Sequence, residues 1–165
     1  MDFTEAPARL RALPSYAITL TAAQAGQLAT DLVARLGASK AAYGMLAVLE
    51  EFGPSSQADL GRRLGMDRRS VSDETAGLER GGLVSREPDP ADPRRNRLEI
   101  TQAGLALLAE LEGSFKAMQD ELFAMLSAKD RAELNRLLSL MVASASASAS
   151  TPASTPTSAR PGRGR

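Results

Sequence analysis

Apolar residues in this sequence recur at helical spacing as far as Gly81-Gly82, alternate over two short segments, and then return to helical spacing. Ala25, Leu28, Ala29, Leu32, Val33 and Leu36 share one face of a helix over roughly 15–36, ended near Gly37. Ala42, Met45, Leu46, Leu49 and Phe52 define a second helix, stopped by Gly53-Pro54. Ser56, with Asp59 three residues on, caps a short third helix that buries Leu60 and Leu64. After the turn Gly65-Met66-Asp67, Asp67 caps a fourth helix over about 68–80, with Gly81-Gly82 as its stop. Leu83-Val84-Ser85-Arg86 and Leu98-Glu99-Ile100-Thr101 then alternate as strands do. Between them lie Pro88, Pro90 and Pro93 with Asp89, Asp92, Arg94, Arg95 and Arg97. This predicts a two-stranded hairpin with a long polar tip, where prolines are tolerated because the tip makes no ladder hydrogen bonds.

Past the hairpin, Leu108, Leu111, Phe115, Met118, Leu122 and Met125 are spaced 3, 4, 3, 4 and 3 residues apart, a heptad seam on a helix over 102–126. Ser127 and Asp130 form a second capping box that opens a helix over 128–142, with Leu134, Leu137, Leu138 and Met141 on one face. In a short chain, a seam of this length finds its readiest partner in a second copy of itself, the competing reading being packing within one chain. Leu134 and Leu138 join the six seam residues as expected dimer contacts. Residues 1–14, with Pro7 and Pro14, read as a loose arm. From Ala143 the chain is ASASASASTPASTPTSARPGRGR, a low-complexity tail predicted to be disordered and to act as a solubilising arm.

Composition excludes several classes of function. There is no cysteine, histidine or tryptophan. Disulfides, Cys/His zinc sites and histidine-assisted nucleophiles are therefore impossible. No motif sets another nucleophile beside a base, so no enzyme, metal or cofactor is expected. There is no apolar run long enough for a membrane span and no leader-like opening, which makes a cytoplasmic protein the expectation. The formal charge is zero, from 20 basic and 20 acidic residues, and all but three of the basic ones are arginine. Three arginines and no acid fall in the tail, so the rest of the chain is slightly acidic. Any contact with nucleic acid must then be local and salt-sensitive.

Two short helices joined by a tight turn and followed by a basic hairpin describe a winged helix-turn-helix. The stretch GPSSQADLGRRLGMDRRSV, continued by LERGGLVSREPDPADPRRNRLEITQAG, resembles the MarR (multiple antibiotic resistance regulator) family of bacterial transcription factors. Asp92-x-Arg94 in the wing and Thr101-x-x-Gly104 after it carry the resemblance most closely, and it extends less specifically over 15–142. It implies a mainly α fold with a two-stranded β-wing, in which 40–101 form the DNA-binding lobe. The helices at 15–36, 102–126 and 128–142 would dimerise, and a small-molecule pocket would lie between the lobes. Some members of the family sense oxidants through a thiol, which this chain lacks.

On the fourth helix Val71, Thr75 and Leu78 share the buried face, leaving Arg69, Asp73, Ala76 and Arg80 opposite with Ser72 at the edge. Arg69 is expected on guanine or phosphate, Arg68 on the backbone, and Ser56 and Gln57 on phosphate. Arg94, and with it Arg95 and Arg97, would serve the minor groove or its phosphates, with Asp92 supporting the wing. Asp73 and Glu74 depart from the small or apolar residues common in relatives. At position 73 an acid either accepts from cytosine N4 or repels phosphate. Pro93 stiffens the wing tip. Tyr16 and Tyr43, the only phenols, are candidates to line an aromatic effector's pocket or to be ordinary core residues.

The resulting expectation is a homodimeric, ligand-responsive repressor on a pseudo-palindromic operator of double-stranded DNA, with a small aromatic effector and no membrane partner. The alternative is a winged-helix protein-interaction module that has lost DNA binding, favoured by Asp73, Glu74 and the acidic body.

Overall fold

The computed structural model describes residues 3–89 and 92–149, and the side chains of 4–89 and 96–144. The chain forms two compact units, Met1–Leu122 and Phe123–Arg165. No single described helix is long and apolar enough to cross a membrane.

The first unit opens with a 3₁₀ turn at Phe3–Glu5 and a four-residue helix α1, Ala8–Arg11. The expected loose arm is thus ordered from residue 3. Both prolines help: Pro7 is the N-cap of α1, and Pro14 is the first residue of α2, where its missing N–H would have no intrahelical partner. Helices α2 (Pro14–Arg35), α3 (Lys40–Phe52), α4 (Gln57–Leu64) and α5 (Arg68–Arg80) follow. Their caps are the predicted ones at three points. Ser56 accepts from the Asp59 amide, Asp67 accepts from the Arg69 and Ser70 amides, and Gly65 ends α4 in the left-handed region at φ 65°. That glycine makes the tight turn between α4 and α5 possible without strain.

Strands β1 (Val84–Asp89) and β2 (Asp92–Ile100) pair antiparallel, from Val84 opposite Ile100 to Pro88 opposite Asn96. The ladder therefore runs much further than the short strands expected, and Pro88 lies within it. The reason is the parity of the pairing. The Thr101 amide donates to the Leu83 carbonyl at 3.0 Å, so Val84, Arg86 and Pro88 turn their backbone groups outward. Leu98, opposite Arg86, confirms the parity by exchanging both its bonds with Ser55, at 3.0 and 2.9 Å, on the edge away from β1. A proline at an outward position removes no ladder bond. Beyond Pro88 the register shifts, so that Asp89 faces Asp92.

Helix α6 (Gln102–Leu122) returns from the wing. The Thr101 hydroxyl accepts from the Gly104 amide at 3.1 Å and donates to the Gly82 carbonyl at 2.7 Å, joining the end of α5 to the start of α6. Two apolar clusters fill the unit. Met45, Leu46 and Leu49 of α3 meet Leu60, Val71, Leu78, Val84, Leu98 and Leu108. Leu32 and Val33 of α2 meet Leu111, with Phe115 and Met118 packed alongside. Tyr43 bridges the two clusters, its ring centroid 4.7 Å from that of Phe115.

This packing corrects the reading of the seam. Leu108 and Leu111 are buried within the chain's own core, and Phe115 and Met118 are half-buried against it. They face α2 and α3, whose apolar faces need the same cover. Helix α6 ends at Leu122, so Met125 falls outside it and is 95% exposed.

In the second unit, Ser127 caps α7 (Ala128–Ala149) by accepting from the Asp130 amide at 3.2 Å. The Arg131 side chain secures the preceding turn by donating to the Phe123 and Leu126 carbonyls. Leu134 is half-buried, while Leu137, Leu138, Leu140, Met141 and Val142 are exposed. The helix continues seven residues beyond Val142, correcting the expectation that order stops there, since alanine and serine without proline continue a helix readily. The rest of the expected tail, 150–165, lies outside the described residues.

A Cβ on Gly104 would lie 2.2 Å from the Leu83 carbonyl oxygen and 2.8 Å from Ile100 Cγ1. Replacement of Gly104 by alanine is expected to lower unfolding free energy by roughly 1–3 kcal/mol through forced separation of α6 from the wing root. The matched control, Gly113→Ala in the same helix, meets nothing within 4 Å and should be neutral or stabilising. Urea denaturation of the two variants measures the difference.

Candidate nucleic-acid interface

Helix α5 is divided cleanly by burial. Val71, Thr75 and Leu78 face the core, and the Thr75 hydroxyl donates to the Val71 carbonyl at 2.7 Å, which satisfies the one polar group on that face. Arg68, Arg69, Ser72, Asp73 and Arg80 are exposed on the other side, and Glu74 is half-buried between. The N-cap Asp67 takes two backbone amides and the Ser70 hydroxyl, at 2.9, 3.0 and 2.7 Å. The Ser70 bonds hold its carboxyl below the usual carboxylate range.

The first turn beyond that cap contains no acid and two arginines. Cations at the positive end of a helix oppose its dipole. The arrangement costs helix stability and sets two guanidinium groups at an end whose Arg69 and Ser70 amides are already taken by Asp67.

A groove of about 1030 Å³ lies between the start of α4, the start of α5 and the wing. It brings together Ser56, Gln57, Arg68 and Arg97 from the predicted residues. Arg62, Arg86 and Asn96 line it too and were missed. Asn96 stands within the Arg94–Arg97 run but carries no charge to draw notice. Arg62 falls half-way along a helix whose start alone was considered. Asp59 also lines the groove and pairs with Arg62. Its carboxyl is held low first by the Ser56 hydroxyl, then by Arg62.

Three predicted contacts take other roles. The Ser56 hydroxyl donates to Asp59 at 2.7 Å, because the carboxylate at the third helical position is its nearest acceptor. Arg97 folds back along the wing: it donates to the Pro54 carbonyl at 2.5 Å and stands 4.0 Å from Asp89, tying β2 to the start of α4. Asp73 pairs with Arg69 at 3.7 Å. The side chains of Asp92, Arg94 and Arg95 lie outside the described residues. Tyr43 belongs to the core, as described, and Tyr16 is half-buried on α2.

The wing is held to α5 by a forked pair, Arg86 donating through two nitrogens to Glu79 at 2.8 and 2.6 Å. These bonds hold the Glu79 carboxyl below its ordinary range. Elsewhere on this lobe, Arg63 stacks 3.8 Å from the Phe52 ring, shielding half-exposed apolar surface.

The comparisons agree with this geometry. The sequence profile of the MarR family matches residues 36–95, from the end of α2 into the wing. A protein of Thauera aromatica, named for transcriptional regulation of the hcr operon, is 32% identical over 112 residues, 68% of each chain. The chain belongs to the MarR family of winged helix-turn-helix transcriptional regulators. The transcriptional repressor NicR of Pseudomonas putida is 31% identical over 60% of this chain and 63% of its own length. Among solved structures, the PcaV transcriptional regulator of Streptomyces coelicolor, in complex with its natural ligand, superposes with a TM-score of 0.68. It is 25% identical, over 85% of this chain and 99% of that one.

Because the Glu79 carboxyl titrates lower in the folded chain than in the unfolded one, its pairing stabilises fully above the ordinary glutamate range, about 4.3. That contribution is lost as pH falls through the depressed value. Melting temperature measured from pH 7 to pH 3 should therefore fall less steeply in Glu79→Gln than in the unmodified chain. Identical slopes would show that the pair does not stabilise the wing.

Proposed function

We propose that this regulator is a cytoplasmic repressor that binds double-stranded DNA as a homodimer on a pseudo-palindromic operator. The observation that carries the reading is the pair of exposed arginines, Arg68 and Arg69, at the positive end of α5. The helix dipole disfavours cations there, whereas a polyanion rewards them. The helix start enters the major groove, with Arg69 and Asp73 at base edges and Ser72 beside them. Arg68 and the Gln57 backbone track the phosphates along the groove, and Arg94 and Arg95 extend the contact from the wing with Asp92 as support. Arg97 positions the wing and reaches DNA less directly.

Dimerisation rests on the exposed apolar residues of α7, Leu137, Leu138, Leu140, Met141 and Val142, an unusual concentration for a face in water. Leu134 belongs to the same helix, and on α6 Leu122 and the half-buried Phe115 and Met118 are separate candidates for the dimer contact. Two-fold symmetry would then place half-sites about 10 bp apart.

The likeness to the PcaV regulator, solved in complex with its natural ligand, supports a small-molecule effector for this chain as well. A 460 Å³ cavity between α2 and α6, lined by Leu28, Leu32 and Met118 with Arg35 and Glu121 at its side, suits a mainly apolar molecule with a polar group. Tyr16 and Tyr43 are the weaker candidates for the effector site. Binding there would lower affinity for DNA by a coupling of roughly 1–3 kcal/mol.

A mobility-shift assay on the DNA upstream of the chain's own gene tests the reading. A shift at low salt that weakens steeply with added salt is expected, and no shift from a verified dimer refutes it. Arg69→Ala should weaken operator binding by about 1–3 kcal/mol per half-site, while Arg68→Ala should weaken all duplexes alike and shallow the salt slope by about one per subunit. Wild-type affinity in both variants would refute the assignment of α5 as the reading helix. Sedimentation of Leu138→Glu with Met141→Glu should show monomers where the unmodified chain is a dimer.

A further inference from the structure

Arg69 and Asp73 stand one turn apart on α5, their side chains 91% and 74% exposed, with Arg69 Nε 3.7 Å from Asp73 Oδ2. As a device for helix stability the pair is poorly built. An exposed ion pair one turn apart adds little, and here the cation lies nearer the positive end, the less favourable order. As a phosphate anchor it is also poorly built, since the carboxylate offsets the charge of Arg69 and repels the backbone. Arg68 is the better phosphate ligand, lining the groove beside the wing.

Base recognition accounts for both residues. The nearest approach of Asp73 to Arg69 is at Nε and longer than a hydrogen bond, so the pair does not require the fork of two terminal nitrogens. Such a fork matches O6 and N7 of guanine in the major groove. Asp73 then offers an acceptor one helical turn further along, and the donor a base edge presents to a carboxylate is the cytosine N4 amino group. We propose that Arg69 and Asp73 act as one base-reading unit selective for a G·C pair, the guanidinium taking guanine and the carboxylate taking cytosine N4. The inference rests on the reading of α5 as the DNA-binding helix. In this unit Asp73 determines specificity twice: it accepts from the cytosine amino group, and it repels any site that offers an acceptor where the amino group should be.

The test uses the full chain. Duplexes are selected from a randomised library, and the preferred site competes against single-pair variants at fixed salt. For the unmodified chain, replacing the G·C pair in one half-site should cost about fivefold to a hundredfold in affinity. In Asp73→Ala that ratio should fall to about threefold or less, while affinity for random duplex is equal or higher because a repulsive charge is gone. In Asp73→Asn the preference at that position should move towards adenine, which an amide reads through N6 and N7. A merely structural role for Asp73 would produce neither change, and matched melting temperatures establish that the variants fold. An Asp73→Ala variant that keeps the full discrimination, or loses affinity equally for every duplex, overturns this inference alone. If the unmodified chain binds no duplex at low salt, the DNA-binding reading and this inference fall together.

Discussion

The geometry of the DNA-binding lobe depends on a close backbone approach at Gly104. The Leu83 carbonyl accepts the Thr101 amide and lies where a side chain at position 104 would have to stand. Thr101 fastens the same point from both sides, capping α6 with its lone pair and donating to Gly82 at the end of α5. Recognition helix, wing and α6 therefore meet within a few residues. From that junction α6 runs back so that Leu108 enters one core cluster and Leu111 the other. Moving α6 outward would unseat both, and α5 would lose the support that gives its exposed face a fixed direction.

Charge is distributed in the same economical way. Several arginines near the interface are already engaged by the protein: Arg86 on Glu79, Arg97 on Pro54 and near Asp89, Arg62 on Asp59. These pairs brace the wing and the first helix of the motif, at exposures where a single ion pair contributes little to stability but still selects one arrangement. A zero formal charge is consistent with a DNA-binding role because the charges that brace cancel among themselves. At the start of α5 the exposed Arg68 and Arg69 are balanced in formal charge by Asp67 and Asp73, so attraction of a polyanion there depends on local arrangement.

Much of this lobe was legible in the sequence because its signals are local. The bounds of α5 at Arg68 and Arg80 follow from Asp67 as a cap and the glycines beyond, and its buried face follows from the spacing of Val71, Thr75 and Leu78. Thr101-x-x-Gly104 was visible as a motif, although its reason, the Leu83 carbonyl, was not. Where reading failed, the missing information was an interaction distant in the chain or a choice between equivalent surfaces. Arg97 resembled its neighbours Arg94 and Arg95 until Pro54, 43 residues away, proved to be its acceptor. Pro88 seemed to exclude pairing until the parity of the ladder turned its nitrogen outward. The heptad spacing of Leu108 and Leu111 was real, yet spacing describes a stripe and not what covers it.

By itself, then, the amino-acid order determined the sequence of elements, the capped helix starts, the glycine stops and the exclusion of thiol, histidine and disulfide chemistry. Each of these depends on backbone preferences and side-chain inventory within a few residues. The tertiary structure decided that Arg86 and Arg97 brace the wing and which half of the seam belongs to the chain's own core. Those outcomes depend on distances between residues brought together only when the apolar faces of α2, α3, α5 and α6 are buried against one another. Burial is indifferent to order along the chain, so no local pattern could specify it.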